Sequence, residues 1–410
     1  MLLAVKQQRQ RSLCRESRVA VTFGVVAHSW LSPLRGVLVA IAVCLGCDGV
    51  PSAVSPAPGR VLWQSPTLGG LARGGWLAAD SARVYAYVSD NVIGAAALSD
   101  GSVAWTAAAD ESLQNGASFR GPTVCGGVTV FSSYLAVYGV ASQSGARLWR
   151  RPDGGAVKFG VGVCRGSTLF HSGGGTFPIM RALDVTSGVE IWRSDLEQSV
   201  VDNTVVWTPA ITDSAIAVCT RRLSVPWSGE VIVLERFTGR IRWRFSLPAR
   251  VSGEPAGCSR APAIWNDLVI SNNEDGRLFA LDLRNGAVRW IGTPAYAVPA
   301  PDNRPLVIVG SSVIAGSLSG TTISYDAATG AERWRFVDGD GVRSVNQDSW
   351  TTDGRIVVGT NLGGGAFALD VATGRRLWSV TERAGLWPIG LLTPRLYVSA
   401  STTGLKAFAR

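Results

Sequence analysis

The chain contains 410 residues, of which 46% are hydrophobic, 17% are charged and 48 are glycine. This composition supplies ample material for a large packed core, and abundant glycine without a collagen period is typical of many tight turns. The net charge of +9 is partly local, because residues 1–46 hold six of the 39 cations and one of the 30 acids. The remaining charges are dispersed with no long basic run, so they give no support for binding to nucleic acid.

The first predicted element is an export leader at residues 1–46. Gly36 to Gly46 is an uncharged apolar stretch of eleven residues that directly follows Arg35. Such a stretch is too short to span a bilayer but has the length of the apolar part of a signal peptide. A weaker apolar run from Val19 to Trp30 and a long basic segment precede it, so we expect translation to start downstream of Met1.

A lipid-attachment signal follows the leader. The tripeptide Leu-Gly-Cys that ends at Cys47 resembles the end of a bacterial lipobox, which would make Cys47 the lipidated first residue of the mature protein. Cys44 stands where that motif usually has leucine, and the alternative is ordinary cleavage that leaves a soluble periplasmic or secreted protein. Residues 47–58 are predicted to form an extended tether. Asp48 resembles an inner-membrane retention signal, so the sequence leaves open whether the lipid would anchor the protein in the inner or the outer membrane.

A repeat occupies the rest of the chain. The pattern Gly-x-x-x-Trp recurs eight times, with successive tryptophans 42 to 51 residues apart, and eight of the 15 tryptophans lie on this grid. Self-similarity at such a period indicates a repeat architecture, in which each unit packs against its neighbours. The grid tryptophans are Trp63, Trp105, Trp149, Trp192, Trp243, Trp290, Trp334 and Trp378.

The third unit, Ala182 to Trp192, shows the chemistry of the repeat. Asp184 can accept hydrogen bonds from turn amides and Gly188 can adopt a positive φ, so this segment is predicted to be a hairpin turn between antiparallel strands. The tryptophan lies four residues along the outgoing strand, where its ring would pack against the neighbouring repeat. A small residue at the first position, such as Ala182, would leave room for that ring.

Each unit carries further strand signals before this hairpin, such as residues 127–131 and 354–359. With a shorter inner strand, often near a proline, each unit makes a four-stranded antiparallel sheet, and no stretch has helical periodicity over the length of a typical helix. Four strands in about 40–50 residues form the blade of a β-propeller. The sequence therefore predicts an all-β, eight-bladed β-propeller over residues 59–410.

The two ends of the repeat array predict how the ring closes. Residues 404–409 match the start of the repeated hairpin, and the chain then stops before a turn glycine and a tryptophan can follow. The missing half stands at Gly59 to Trp63. We expect the eighth blade to be built from residues 59–65 and 382–410, which would remove the open edges that a linear array exposes.

The full unit, Ala-x-Asp-x-x-Thr-Gly-x-x-x-Trp, resembles the tryptophan-docking repeat of pyrroloquinoline-quinone-type β-propellers over residues 59–410. The first two blades depart from it, with Ala97 and Ala141 at the aspartate position. The resemblance implies one of two functional classes. One class contains quinone-dependent dehydrogenases. The other contains cofactor-free propellers, notably the lipoprotein subunit of the outer-membrane β-barrel assembly machinery, which is similar in length, blade count, terminal closure and leader.

For an alcohol dehydrogenase of this class, the resemblance implies a pyrroloquinoline quinone stacked between a tryptophan and a disulfide of adjacent cysteines, with Ca²⁺ held by carboxylate and amide oxygens. Glucose-type members of the class use a different constellation, so the absence of adjacent cysteines does not decide the question alone. The chain has no adjacent cysteine pair, and His171 is the one histidine after the leader. A single histidine excludes a multi-histidine metal site, and we find no acid–base pair, nucleophile motif or phosphate loop. The sequence therefore predicts no catalytic, cofactor-binding or metal-binding residue.

The leading hypothesis is a non-catalytic scaffold of the cell envelope that faces the periplasm, is held to a membrane by its lipid and binds a protein partner through rim loops. The alternatives are a quinone-dependent alcohol or sugar dehydrogenase and a secreted ligand-binding propeller. Rim loops commonly carry function, and tryptophan is favoured at interfaces. Tryptophans off the grid are candidate partner-binding residues, although each could instead cap the core: Trp207, Trp227, Trp350 and Trp387.

Four cysteines lie within the predicted propeller. Cys125 and Cys164 are 39 residues apart at similar places in neighbouring units, and Cys219 and Cys258 are also 39 residues apart. In an oxidising periplasm they could form two disulfides, and four cysteines allow three pairings. They could equally stay reduced as small buried hydrophobic residues.

Overall fold

The computed structural model describes most of the repeat region, and residues 55–410 form one compact unit. The predicted leader and Cys47 lie outside the described residues. The described residues are 57–65, 68, 77–89, 91–111, 121–133, 135–152, 162–173, 178–197, 204–223, 228–251, 253–258, 260–292, 303–317, 320–337, 350–360, 365–381, 389–401 and 404–410.

The chain forms eight antiparallel sheets, which we call blades 1 to 8 in chain order. The first strand, β1 (Val61–Ser65), belongs to blade 8. Blade 1 contains β2 (Ala78–Ala79), β3 (Arg83–Ser89), β4 (Val92–Ala97) and β5 (Val103–Ala108), and blade 2 contains β6 (Thr123–Cys125), β7 (Val128–Ser132), β8 (Ala136–Ala141) and β9 (Arg147–Pro152). Blade 3 contains β10 (Val163–Arg165), β11 (Thr168–Gly173), β12 (Ile179–Asp184) and β13 (Glu190–Asp195). Blade 4 contains β14 (Thr204–Val206), β15 (Ala210–Ile211), β16 (Ala215–Arg222), β17 (Glu230–Glu235) and β18 (Ile241–Ser246).

Blades 5 to 8 repeat this order, and the described residues contain no helix. Blade 5 contains β19 (Ala263–Trp265), β20 (Leu268–Asn272), β21 (Leu278–Asp282) and β22 (Val288–Gly292), and blade 6 contains β23 (Asn303–Val309), β24 (Ser312–Ser317), β25 (Thr321–Asp326) and β26 (Glu332–Val337). Blade 7 contains β27 (Thr351–Thr352), β28 (Ile356–Thr360), β29 (Gly365–Asp370) and β30 (Arg376–Thr381). Blade 8 contains β31 (Ile389–Leu392), β32 (Leu396–Ser401) and β33 (Gly404–Ala409) together with β1. The predicted all-β, eight-bladed propeller is therefore confirmed.

The two chain ends share blade 8, as the incomplete terminal repeats predicted. Its strand order is β1-β33-β32-β31, and Trp63 stands opposite Ala407 in the register of β1 with β33. The backbone amide of Gly59 donates to the carbonyl oxygen of Ala409 at 2.8 Å, and the amide of Ala409 donates to Arg60 at 2.8 Å. Closing the ring in this way pairs a strand edge that would otherwise be exposed.

Blade 4 departs from the simple pattern because its inner strand is interrupted. Two short strands, β14 and β15, both pair with β16. Pro209 lies between them, and proline has no backbone N–H with which to continue a ladder. The pairing also shifts there, since Val206 stands opposite Thr220 whereas Ala210 stands opposite Ala217. One additional residue is therefore accommodated at this point of the inner strand.

The grid tryptophans dock each blade onto the next. In every described case the indole Nε1 donates to the carbonyl oxygen three residues before the turn glycine of the following blade. Seven such bonds are described: Trp63 to Leu98 at 3.0 Å, Trp105 to Ser142 at 2.8 Å, Trp149 to Val185 at 2.8 Å, Trp192 to Arg236 at 3.0 Å, Trp243 to Leu283 at 3.0 Å, Trp290 to Ala327 at 3.1 Å and Trp334 to Val371 at 2.8 Å.

The turn glycine lies directly against the ring of the preceding blade. Gly188 has a φ of 70°, and a Cβ added to it would lie 2.6 Å from Cδ2 of Trp149. Both its conformation and its contact therefore require glycine. The blade 7–8 junction differs, because a Cβ at Gly59 would first meet Val380, at 2.9 Å, and no indole atom is among its nearest neighbours.

The aspartate of the repeat ties its own turn, as predicted. Oδ1 of Asp184 accepts hydrogen bonds from the amides of Thr186 and Ser187 at 3.1 and 2.9 Å and from both of their hydroxyls. These bonds, first of all the one from the Thr186 side chain, lower the pKa of Asp184 from its ordinary value of 3.8. In blade 2, where Ala141 replaces the aspartate, the amide of Gly145 still donates to the Ala141 carbonyl at 2.8 Å. The alanine thus removes side-chain bonds but keeps the backbone closure.

The hydrophobic core lies between the blades rather than at one centre. One cluster, for example, combines Val130 and Trp149 of blade 2 with Leu169 and Leu183 of blade 3. Small residues opposite each tryptophan make this packing possible: Gly139 stands opposite Trp149, and a Cβ there would lie 2.2 Å from the ring. The first position of the repeat is therefore small because the indole of the same blade covers it.

Candidate functional site

The two ends of the blades carry different connections. Because successive strands run in opposite directions, the hairpin turns within the outer and inner strand pairs lie on one side, which we call the turn face. The loops between the second and third strands, and those between blades, lie on the other side, which we call the loop face. Function in a propeller is commonly carried by such loops. At blades 4 and 5 the loop face carries a cluster of paired charged side chains.

A buried carboxylate organises this region. Glu274, in the loop between β20 and β21, is 6% exposed. Its Oε1 lies 2.6 Å from Nη2 of Arg221, and its Oε2 accepts bonds from Arg250 at 2.7 Å and from the amide of Gly257 at 3.2 Å. A buried charge is tolerated when it is paired and hydrogen-bonded in this way. Glu274 thus joins blade 4, the blade 4–5 connection and blade 5.

Asp275 makes a second link between the blade 4–5 connection and blade 5. Its side chain is buried, and its carboxylate is paired with Arg277 at 2.7 Å. Its Oδ2 also accepts a hydrogen bond from the amide of Val251 at 3.1 Å. We call the group of Arg221, Arg250, Glu274, Asp275 and Arg277 the blade 4–5 rim. The carboxylates of Glu274 and Asp275 form ion pairs with these arginines and also accept hydrogen bonds from backbone amides of the blade 4–5 connection. Together these bonds hold the connection against blade 5.

A disulfide lies within the same region. The structure joins Cys219 of β16 to Cys258 in the blade 4–5 connection, with the two Cα atoms 5.8 Å apart, a usual separation for a disulfide. The indole of Trp207 donates to the carbonyl oxygen of Cys258 at 3.1 Å, and the guanidinium of Arg260 lies 5.0 Å from the centre of that indole. Trp207 is 7% exposed. It therefore packs in the core beneath the rim and offers little surface to a partner.

One other candidate tryptophan, Trp350, is described, and it belongs to blade 7. Trp350 is half-buried beside β27 and meets Phe367 edge to face, with the ring centres 6.3 Å apart. Gly359 makes room for it, since a Cβ there would lie 2.4 Å from the indole. Trp227 and Trp387 lie outside the described residues. The two described candidates thus contribute mainly to packing.

The remaining two cysteines join a different pair of blades. Cys125, at the end of β6, is bonded to Cys164 of β10, with a Cα separation of 5.8 Å. The structure thereby selects, among the three possible pairings, the one in which each disulfide joins cysteines 39 residues apart. One disulfide connects blades 2 and 3, and the other joins blade 4 to the blade 4–5 connection.

The donor groups among the described residues bear on the dehydrogenase alternative. They contain no group of three or more histidine, cysteine, aspartate or glutamate side chains that could hold a metal ion. Both disulfides join cysteines 39 residues apart, unlike the adjacent pair that the resemblance to alcohol dehydrogenases implies. His171 is buried on β11, opposite Arg181 of β12. In the part of the chain that is described, no helix is long and apolar enough to cross a membrane.

Sequence reasoning missed the residues of the blade 4–5 rim. The available signal was the spacing: the intervals that end at Trp243 and Trp290 are 51 and 47 residues, longer than the other intervals. The blade 4–5 connection, which carries Arg250, lies within the second of these intervals. A second missed feature is Phe237, which is 70% exposed in the turn between β17 and β18 and has the guanidinium of Arg236 at 4.2 Å from its ring centre.

Comparison with known proteins assigns the chain to a family. A family model described as outer membrane protein assembly factor BamB matches residues 48–176, 175–335 and 299–397. The chain belongs to this family. No curated protein matches the sequence. The fold itself is shared more widely than the family, as solved structures of low sequence identity show.

Three solved structures illustrate the range of proteins with this fold. BamB from Moraxella catarrhalis is 14% identical, with a TM-score of 0.62, over 83% of this chain and 97% of that one. Quinohemoprotein alcohol dehydrogenase from Comamonas testosteroni is 12% identical, with a TM-score of 0.61, over 84% and 72%. The computationally designed protein Ika8 is 15% identical, with a TM-score of 0.66, over 86% and 100%. At these identities the likeness concerns the fold alone.

Proposed function

We propose that this member of the BamB family is a non-catalytic scaffold of the cell envelope that acts in outer-membrane protein assembly and binds a protein partner through the loop face at blades 4 and 5. The observation that carries the proposal is the blade 4–5 rim. Its buried carboxylates and the nearby Cys219–Cys258 disulfide hold the loops of two blades in one arrangement before any partner arrives. A preorganised surface loses little conformational entropy on binding, so more of the contact energy remains as affinity.

Exposed apolar side chains beside the rim support a protein as the partner. Val251, whose amide is held by Asp275, is 69% exposed, and Leu223, which directly follows β16, is 37% exposed. Both stand on the loop face next to charged groups. Apolar anchors surrounded by polar residues are typical of protein–protein interfaces.

The two disulfides support a location outside the cytoplasm. Disulfides persist in oxidising compartments such as the periplasm and are rare where thiols are kept reduced. Together with the leader at residues 1–46 and a lipid on Cys47, they make a periplasm-facing, membrane-anchored protein the simplest proposal. Mass spectrometry of the mature protein tests both points. We expect a lipid on Cys47 and four alkylation-resistant cysteines in Cys125, Cys164, Cys219 and Cys258, whereas a free thiol form would contradict an oxidising compartment.

Affinity purification from crosslinked membranes tests the partner. We expect the wild type to recover an envelope protein of the outer-membrane assembly apparatus, and the variants Leu223→Asp and Val251→Asp to recover at least about tenfold less, because a charge at an apolar anchor is strongly unfavourable. Phe237→Asp is the matched control, since it places the same charge at an exposed apolar position on the turn face. Equal recovery by all three variants would contradict binding at the loop face.

Enzymatic activity would contradict the proposal directly. The purified protein can be mixed with pyrroloquinoline quinone and Ca²⁺ and assayed for dye-linked oxidation of alcohols and sugars. We expect no turnover above the protein-free background, because the described residues contain no group of three or more histidine, cysteine, aspartate or glutamate side chains that could hold a metal ion. Saturable oxidation of any of these substrates would favour the dehydrogenase alternative.

A further inference from the structure

The outermost strands of two neighbouring blades lack the charges that the other six carry. The outermost strand of a blade is an unpaired sheet edge, and charged side chains on such an edge hinder its pairing with other chains. Two strands have no charged residue, β1 of blade 8 and β5 of blade 1. Each of the other six contains at least one arginine: Arg147, Arg193, Arg242, Arg289, Arg333 and Arg376.

These two strands present aliphatic side chains to the outside of the ring. Val61 and Leu62 of β1 and Val103 of β5 are exposed, and so is the small Ala104 beside Val103. The indole of Trp63 docks blade 8 onto blade 1, so the two strands belong to blades that are fixed against each other. We call Val61, Leu62, Val103 and Ala104 the apolar edge.

The chain enters the ring beside the apolar edge. Gly59 lies two residues before β1, and residues 47–58 join it to Cys47, the proposed site of the lipid. Because an extended chain covers at most about 3.5 Å per residue, the backbone of Cys47 lies within about 40 Å of the start of blade 8. A lipid on Cys47 therefore brings blade 8 and its neighbours to the membrane, whereas blade 4 is four blades away in either direction.

The surroundings of the apolar edge favour lipid over protein as the covering surface. Arg60 precedes β1 and Asp100 lies in the turn before β5, so the two exposed charges beside the edge are opposite. Binding would come from the aliphatic side chains, and a lipid interface accepts these without complementary shape. The two strands offer no exposed aromatic or arginine side chain of the kind enriched in protein interfaces, because Trp63 and Trp105 are buried.

We propose that the apolar edge lies against the lipid surface in which the lipid of Cys47 is inserted. Val61, Leu62 and Val103 enter the headgroup region, and this contact fixes which side of the ring faces the membrane. The loop face at blades 4 and 5, on the far side of the ring, stays open to a protein partner. This orientation rests on the lipid anchor of the proposed function, whereas the affinity of the edge for lipid is a property of the ring itself.

Flotation of the purified mature protein with phosphatidylcholine vesicles tests the edge without the anchor. The protein carries Cys47→Ser, so that no lipid is attached to it. We expect binding at millimolar lipid that persists in about 0.5 M sodium chloride, because apolar contacts are not screened by salt. Burying the exposed part of one valine is worth roughly threefold to tenfold in affinity, so Val61→Glu and Val103→Glu should each bind at least about fivefold more weakly.

The repeat supplies a matched control in blade 5. Val61, Val103 and Val288 each lie two residues before a grid tryptophan and are 47%, 42% and 44% exposed. Blades 3 and 6 already carry glutamate at this position, as Glu190 and Glu332, so the substitution is compatible with the blade. Val288→Glu should bind vesicles like the protein without it, and thermal midpoints verify that all three variants fold.

Photocrosslinking in cells identifies what covers the edge. A benzophenone amino acid in place of Val103 should give phospholipid adducts in the mass spectrum, and one in place of Val288 should not. The proposal is overturned by an absence of vesicle binding, by an equal loss in Val288→Glu, by adducts at position 103 with protein alone, or by a reversible dimer that Val103→Glu abolishes. The mass of the mature N-terminus reports on the anchor separately, so failure of the edge and failure of the anchor are distinguishable.

Discussion

Docking of each turn glycine on the preceding indole can be tested at one junction with a control in the same blade. Gly188 has a φ of 70°, and a Cβ there would lie 2.6 Å from Trp149, whereas Gly166 has a φ of 61° and nothing within 4 Å of an added Cβ. Alanine at either position must adopt the left-handed conformation. Alanine at Gly188 must in addition displace the ring. The pair therefore separates backbone strain from blade-to-blade contact.

The expected magnitudes follow from these two terms. The left-handed conformation costs an alanine about 1–2 kcal/mol, and the smaller entropy of the unfolded chain returns about 0.4–1 kcal/mol. We therefore expect Gly166→Ala to lower the free energy of unfolding by about 1 kcal/mol. Gly188→Ala adds overpacking of about 1–3 kcal/mol, or loss of the Trp149 bond to Val185 at about 1 kcal/mol if the ring moves away. Its total should be about 2–4 kcal/mol.

Denaturant unfolding of the purified mature protein measures both values. A double-mutant cycle with Trp149→Ala sharpens the test, because without the indole Gly188→Ala should cost no more than Gly166→Ala. The reasoning is refuted if the two alanine substitutions are equally destabilising in the wild-type background. It is also refuted if removing the ring leaves the cost of Gly188→Ala unchanged.

Two further predictions concern ring closure and acid stability. Deletion of Arg60 to Gln64 removes most of β1, including buried Trp63, from blade 8, so the thermal midpoint should fall by roughly 10 °C, and an unchanged midpoint would contradict closure by both chain ends. The pKa values of Asp184 and Asp370 are lowered, chiefly by hydrogen bonds from threonine side chains, below the ordinary 3.8. Because the unfolded chain protonates first, stability should decrease as the pH falls through this range. Denaturant titrations at pH 5 and pH 3 measure this loss of unfolding free energy, which should be smaller in the double variant Asp184→Asn/Asp370→Asn than in the wild type. An identical loss in the two proteins would contradict the prediction.

The repeat made the fold predictable from the sequence. Turn chemistry is local: an aspartate, a glycine and a tryptophan within a few residues, as in Asp184 to Trp192, specify one hairpin whatever the rest of the chain does. Eight copies at nearly constant spacing then specify a ring, and the half repeats at its ends specify closure. The structure confirmed these points, and it added that the blade 7–8 junction at Gly59 lacks the close indole contact found elsewhere.

The contacts that form the candidate site could not be predicted from the sequence, because they depend on tertiary structure. The pairing of Cys219 with Cys258, the position of Trp207 beneath the rim, and the carboxylate of Glu274 between two arginines all depend on loops from different blades. The sequence left Trp207 open between a partner anchor and a core residue, and it left the cysteine pairing open among three.

The physical reason for this division is the range of the interactions. Hairpin turns and strand alternation arise from contacts between residues close in sequence, and repetition makes their signal visible above local variation. The loop face is formed by connections that differ in length and composition from blade to blade, so no period marks them. Which charged groups become buried there, as Glu274 does, is decided only when the closed ring brings separate segments together.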